Sequence, residues 1–195
     1  MKKKLRIIAR KKRSNIVLGQ SGKEKLKTSI NSCLKEIFSL KQDIKTASLY
    51  IPINNEISPY DFISMLKENK VILSMPFIDI KKKRMIFKEW DLNNKLQLGP
   101  YGNFEPLEKE KSILPQLVIV PLLMFDRELH RLGYGGGYYD KTIYYLRNYF
   151  KMKKKFFITI GLAYSIQVTK KLPIENHDMK LDYIITDKEI LSRFY

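Results

Sequence analysis

From Lys23 to Lys41, apolar side chains recur at Leu26, Ile30, Leu34, Ile37 and Phe38, a spacing that predicts a strongly amphipathic helix after Gly19 and Gly22. Residues 1–13 predict a second, basic helix with a narrow apolar face at Leu5 and Ile8, with Ile7 beside them. The pattern then changes period. Thr46–Ile53 is β-like, and Val71–Ile78 and Met85–Trp90 predict two more strands. Between them, Pro59–Glu68 predicts a helix with Ser58 as N-cap and Pro59 in its first position. Leu117–Phe125 is a continuous apolar run, as expected of a strand buried on both faces of a parallel sheet. Tyr139–Tyr149 predicts a helix, and Phe156–Tyr164 and Asp182–Thr186 the last two strands. Such alternation implies an α/β fold, a three-layer α/β/α sandwich around a mostly parallel central sheet. No repeat and no Gly/Ser- or Pro-rich linker divides residues 1–195, so a single domain is expected. Ligands in such folds bind beyond the carboxyl ends of the strands, which directs attention to the residues after Phe125.

Composition narrows the class. The chain has 195 residues, enough for one domain with a full core and short for two. With 44% hydrophobic and 29% charged residues it is not a disordered segment. No apolar run approaches the roughly 18–20 residues of a membrane span, so no membrane partner is expected. The basic N-terminus lacks the apolar segment and small-residue cleavage site of a secretory signal, and a cytoplasmic location is the expectation. Cys33 is the single cysteine, which excludes an intrachain disulfide or a cysteine-cluster zinc site, and it reads as a packed core thiol. A net charge of +17 and a pI near 9.8 bring nucleic acid into consideration. The surplus is mostly lysine in a chain also rich in Ile, Asn and Tyr, a mixture an AT-biased genome produces without a polyanionic partner. Lys81–Arg84 and Lys151–Lys155 lie between apolar segments and read as solvated turns. Nucleic acid is therefore the lesser reading.

After Phe125 come Asp126–His130 and then RLGYGGGYYD from Arg131 to Asp140, holding four of the nine glycines: Gly133, Gly135, Gly136 and Gly137. Such a cluster ahead of a helix can turn successive backbone N–H groups toward one anion, where the helix N-terminus adds partial positive charge. Arg131 offers a bidentate phosphate donor, and Asp140 stands in the first helical turn, where a magnesium ion could be held against phosphates. Familiar fingerprints do not match: a GxGxxG beginning at Gly133 meets Tyr138, and no glycine-lysine-Ser/Thr sequence exists. A flexible turn flanked by packing tyrosines is the plainer alternative.

Val120–Asp140, VPLLMFDRELHRLGYGGGYYD, closely resembles the signature of the 5-formyltetrahydrofolate cyclo-ligase family. The likeness extends to Lys2–Arg6 (KKKLR), Ile51–Glu56 (IPINNE) and Glu175–Asp182 (ENHDMKLD), in matching order and spacing along nearly the whole chain. Gly136 stands where some relatives carry lysine. The resemblance implies an ATP site formed by Lys2, Lys3, Lys4, Leu5, Arg6, Arg131, Leu132, Gly133, Tyr134, Gly135, Gly136, Gly137, Tyr138 and Tyr139, with Arg10 assisting. It implies a folate site of Ile51, Glu56, Tyr101, Tyr134, Gly135, Gly136, Gly137 and Tyr138, with Glu56 accepting from the pterin. Arg131 and Tyr138 are the implied catalytic residues, and Asp140 and Asp178 the implied Mg2+ ligands, Asp182 and Asp187 competing for the second place.

The implied reaction is ATP-dependent conversion of 5-formyltetrahydrofolate to 5,10-methenyltetrahydrofolate, with or without a polyglutamate tail on the folate, in a monomer or weak dimer. Phosphorylating the formyl oxygen and closing the ring asks a protein for positioning and charge stabilisation, not for a nucleophile. That suits a chain with no convincing Ser/His/Asp or Cys/His constellation. The alternatives are a basic nucleic-acid-binding α/β domain and a phosphosugar or coenzyme-A enzyme on a similar scaffold.

Overall fold

The computed structural model describes residues 1–40, 43–81 and 84–194. Lys41, at the end of the expected second helix, and Lys82 and Lys83, in the first lysine run, lie outside the described residues. The described residues form four α-helices: α1 (Lys2–Ser14), α2 (Gln20–Ser39), α3 (Ile63–Glu68) and α4 (Tyr138–Met152). The strands are β1 (Thr46–Ser48), β2 (Ile72–Asp79), β3 (Arg84–Glu89), β4 (Leu96–Leu98), β5 (Phe104–Pro106), β6 (Ser112–Ile113) and β7 (Leu117–Pro121). They continue with β8 (Met124–Asp126), β9 (Arg131–Leu132), β10 (Ile158–Leu162), β11 (Val168–Thr169), β12 (Tyr183–Ile185) and β13 (Ile190–Ser192). Pro59–Phe62 is a 3-10 turn leading into α3, and the Ser58 side chain accepts from Tyr60 N–H, so the expected cap is present over a tighter helical start.

The main sheet runs β13-β12-β10-β7-β1-β2-β3-β6. From β12 to β2 every pairing is parallel, and β13, β3 and β6 are antiparallel at the margins. Period-two alternation divides β7 between the layers. Leu117 and Ile119 face the core under α2, with Ile30, Leu34 and Ile37, whereas Val118 and Val120 face the core under α4, with Ile143, Leu146 and Phe150. The α/β/α sandwich with a mostly parallel sheet is therefore the observed architecture. No helix among the described residues is long and apolar enough to cross a membrane.

The expected strand Leu117–Phe125 is two strands in different sheets. β7 ends at Pro121, and β8 joins a small sheet of order β11-β8-β9. Proline cannot donate to the ladder, and the chain leaves the sheet there. The carbonyls of Leu122 and Leu123 instead accept from Gln167 Nε2 at 3.0 Å each, and Leu122 O also accepts from Arg13 Nη1 at 3.2 Å. Strand succession reverses between β1 and β7, because β2 lies on one side of β1 and β7, β10 and β12 follow on the other. In such sheets ligands bind where the succession reverses, here at the carboxyl ends of β1 and β7.

Of the apolar face expected for the first helix, only Leu5 turns inward. Ile7 and Ile8 are exposed, whereas Ala9 and Arg13 are buried and Lys2, Leu5 and Arg6 half-buried. Ala9 packs with Leu123, Met124, Leu132 and Leu172, against which Leu5 and Tyr134 also rest. α1 thus carries a cationic stripe inward along Lys2, Arg6 and Arg13, at the spacing of one helical face.

Candidate active site at the strand crossover

At the reversal, Glu56 follows the extended segment after β1, and its side chain is only 4% exposed. Its Oε1 accepts from Tyr134 Oη at 2.6 Å and lies 3.5 Å from Arg13 Nη1, while Oε2 accepts from Ile53 N–H at 2.9 Å. Burial pushes the Glu56 carboxyl above its ordinary value, and the Tyr134, Ile53 and Arg13 donors oppose that shift. Burial and the neighbouring Glu56 charge likewise push the Tyr134 phenol up. Ile51 is half-buried and packs against the α2-side core.

Arg13 is absent from the residues the sequence singled out. Its side chain is 1% exposed. Nε donates to Asn54 O at 3.0 Å, Nη1 to Leu122 O, and Nη2 to the Tyr134 hydroxyl. The i, i+4, i+7 placement of Lys2, Arg6 and Ala9, continued four residues on to Arg13, is the sequence signal that points to it.

The glycine loop lies over α1. Arg6 Nε donates to Gly133 O at 2.9 Å, and a Cβ added at Gly135 would stand 3.1 Å from Arg6 Cζ. Gly135 and Gly137 take φ values of +110° and +68°, conformations that L side chains rarely adopt, and Gly137 is the N-cap of α4. The guanidinium carbons of Arg10 and Arg13 are each 5.6 Å from the centroid of the Tyr134 ring. Tyr138 meets Tyr101, from the β4–β5 hairpin, with hydroxyls 2.9 Å apart and ring centroids 5.8 Å apart. That hydrogen bond pushes the Tyr138 phenol up, and burial does the same to Tyr139. Leu132 is packed into the small core under α1, and its carbonyl accepts from Leu123 N–H. Lys3 and Lys4 are exposed.

A second cluster borders the loop. The Arg131 side chain is 4% exposed, with Nη2 donating to Asp140 Oδ1 at 2.7 Å and Nη1 to Met179 O at 2.6 Å. Burial pulls the Arg131 guanidinium below its ordinary value, and the Asp140 charge opposes it. Asp140 Oδ1 also accepts from Met179 N–H. One residue away, Asp178 Oδ2 accepts from Lys2 Nζ at 2.6 Å and from Glu175 N–H at 2.7 Å. Burial alone would raise the Asp178 carboxyl, but these two donors and the Lys2 charge hold it below the usual carboxylate value. Asp140 and Asp178 are thus both tied to the segment from Glu175 to Met179. Among the described residues neither Asp140 Oδ2 nor Asp178 Oδ1 accepts a hydrogen bond, and His177 Nε2 lies 3.9 Å from the latter. Glu175 and His177 could add to the cluster with Asp178. Two hard carboxylate oxygens suit Mg2+, which takes its remaining ligands from water and phosphate. Asp182 is buried and engaged by Arg147, Arg193 and Thr159, and Asp187 accepts from Ser165; both have structural partners.

A buried carboxylate, a glycine loop and a cationic helix gathered at the strand reversal define the site of an α/β enzyme. The chain belongs to the 5-formyltetrahydrofolate cyclo-ligase family, whose profile matches residues 1–187. It is 33% identical over 167 residues to the 5-formyltetrahydrofolate cyclo-ligase of Mycoplasma pneumoniae, covering 85% of this chain and 87% of that one. With the Haemophilus influenzae 5-formyltetrahydrofolate cyclo-ligase it shares 30% identity over 146 residues, 72% of this chain and 75% of the relative. Among solved structures, the Aquifex aeolicus 5,10-methenyltetrahydrofolate synthetase matches with a TM-score of 0.71 and 27% identity, covering 98% of this chain and 92% of that one. The Mycoplasma pneumoniae 5,10-methenyltetrahydrofolate synthetase gives 0.69 and 28%, over 96% and 99%.

Proposed function

We propose that the protein uses ATP to close 5-formyltetrahydrofolate to 5,10-methenyltetrahydrofolate, releasing ADP and phosphate. The observation that carries this reading is the placement of the glycine loop between two clusters, Glu56 with Tyr134 on one side and Asp140 with Asp178 on the other. Amide-like formyl carbon is a poor electrophile. Transfer of the γ-phosphoryl group to the formyl oxygen makes that oxygen a leaving group; N10 then attacks the formyl carbon, the five-membered ring closes, and phosphate departs.

On this reading Gly133–Gly137 bring backbone N–H groups to the ATP phosphates at the start of α4. Arg6 lies directly under the loop and Lys2 beside Asp178, so both supply positive charge there. Arg131 contributes its charge from behind Asp140, which it holds in place. Mg2+, when bound, would sit on Asp140 and Asp178 and neutralise phosphate charge. Glu56 would accept from the amino-pyrimidine edge of the pterin, and Tyr101 and Tyr138 would give the folate an aromatic wall. Tyr134 now occupies Oε1 of Glu56, where a pterin donor would bind, and its glycine neighbours give the loop the backbone freedom to withdraw it.

The test is direct. Purified protein with 5-formyltetrahydrofolate and Mg-ATP should produce methenyltetrahydrofolate absorbance with stoichiometric ADP, and nothing without ATP. Absence of turnover, with tight salt-sensitive binding to RNA or DNA, would favour the basic nucleic-acid-binding alternative.

A further inference from the structure

We propose that Arg13 is the positioning residue of the pterin end of the site, holding Glu56 as an oriented, ionised carboxylate through the exchange of Tyr134 for substrate. This rests on the reading of Glu56 as the pterin acceptor. The geometry separates the three donors on Glu56 by how firmly each is held. Ile53 N–H is part of the backbone turn that carries Glu56, whose own N–H returns to Ile53 O at 3.0 Å. Tyr134 belongs to the loop with Gly133 before it and Gly135 after it. Arg13 is fixed independently of Tyr134, by Asn54 O within the turn that carries Glu56 and by Leu122 O at the break between β7 and β8. When Tyr134 gives up Oε1, Arg13 is therefore the remaining side-chain donor and the remaining cation beside that oxygen.

Charge makes the requirement concrete. An amino-pyrimidine edge presents N–H donors, so it needs Glu56 as an anion, and burial works against the anion. The titratable groups around Glu56 are Arg13 from α1, Tyr134 from the glycine loop, Tyr139 from α4 and Tyr50 from the segment after β1. The three phenols are neutral at physiological pH, since all are pushed up, which leaves Arg13 as the one cation among them. A lysine could not replace it. A guanidinium spreads donors in a plane and here meets Asn54, Leu122, Glu56 and Tyr134 at once, while an ammonium has one nitrogen.

The experiment compares wild type, Arg13→Lys, Arg13→Gln and Glu56→Gln for folate KM, ATP KM and the pH profile of kcat/KM for folate, with folding checked by circular dichroism. We expect folate KM to rise at least about tenfold in both Arg13 variants, with a much smaller change in ATP KM. Glu56 must be ionised, and loss of the cation raises its pKa. The acid limb of kcat/KM should therefore move to higher pH in Arg13→Gln, and be absent in Glu56→Gln. Either Arg13 variant, if folded, is decisive. A raised folate KM in Glu56→Gln beside unchanged folate KM and unchanged acid limb in folded Arg13 variants would overturn the proposal alone. An unchanged folate KM in Glu56→Gln would remove the reading beneath it, and the proposal too.

Discussion

Asp140 shows how much one carboxylate can be asked to do. Its Oδ1 neutralises Arg131 and accepts from Met179 N–H, and the same group is proposed to turn Oδ2 toward a cation. A surface ligand could be removed without harm to the fold, but Asp140→Ala strands a guanidinium whose side chain is 4% exposed. We expect Asp140→Ala to cost about 3 kcal/mol, the lower end of the range for breaking a buried pair, because Asp140 itself is 21% exposed. Asp140→Asn keeps an acceptor for both donors and should cost less, while its ATP KM should rise and lose its dependence on Mg2+ concentration. Urea denaturation and a magnesium titration of the kinetics separate the two roles. Wild-type stability in Asp140→Ala would show that the Arg131 pair carries no structural weight.

At the scale of elements, the parallel strands and both sandwich helices were legible in the sequence because each buries apolar side chains at a fixed period. β10, for example, lies inside the expected Phe156–Tyr164, and α4 begins one residue before the expected Tyr139. The hairpin β4–β5 and the two-residue strands left no such mark, since they pair over only two or three residues, too few to show a period. α1 was legible as a helix and misleading as to its face. Periodicity records apolar burial, whereas this helix buries Arg13 against carbonyls, a phenol and a carboxylate, which hydrophobic patterning cannot register. The glycine loop and its acidic neighbour were legible by resemblance, while Arg13 was not. Two substitutions test the observed face. Ile7→Gln, at an exposed position, should change stability by less than about 0.5 kcal/mol. Ala9→Leu must fit new methylenes between Leu123, Met124, Leu132 and Leu172, and should cost about 1–3 kcal/mol. It should also raise ATP KM, because lifting α1 moves Lys2 and Arg6 together. Equal tolerance of both changes would refute this docking.

At the scale of the whole molecule, the site is a knot of four distant segments. Lys2 reaches Asp178, Arg6 reaches Gly133 O, Arg13 reaches Glu56 and Tyr134, and Arg131 reaches Met179. These contacts join α1, the segment after β1, the glycine loop and the segment before β12, which meet only in the folded chain. A ligand spanning them should bind the native state alone and stabilise all of it. At a concentration one hundred times its Kd, Mg-ATP should add about 2.7 kcal/mol. For a chain of this size that amounts to a rise in Tm of about 5–10 °C. Gly137 makes the assignment specific. A Cβ there meets no atom within 4 Å; the expected effect of Gly137→Val comes from φ of +68°, which a β-branched residue resists. Relief of that strain would swing the loop amides out of line at the start of α4. Calorimetric scans of wild type and Gly137→Val, each with Mg-ATP or with 5-formyltetrahydrofolate alone, should show the variant losing most of the ATP-induced rise and keeping most of the folate-induced one. If both rises survive in the folded variant, the glycines merely shape a turn, and the phosphate site must be sought elsewhere along α1.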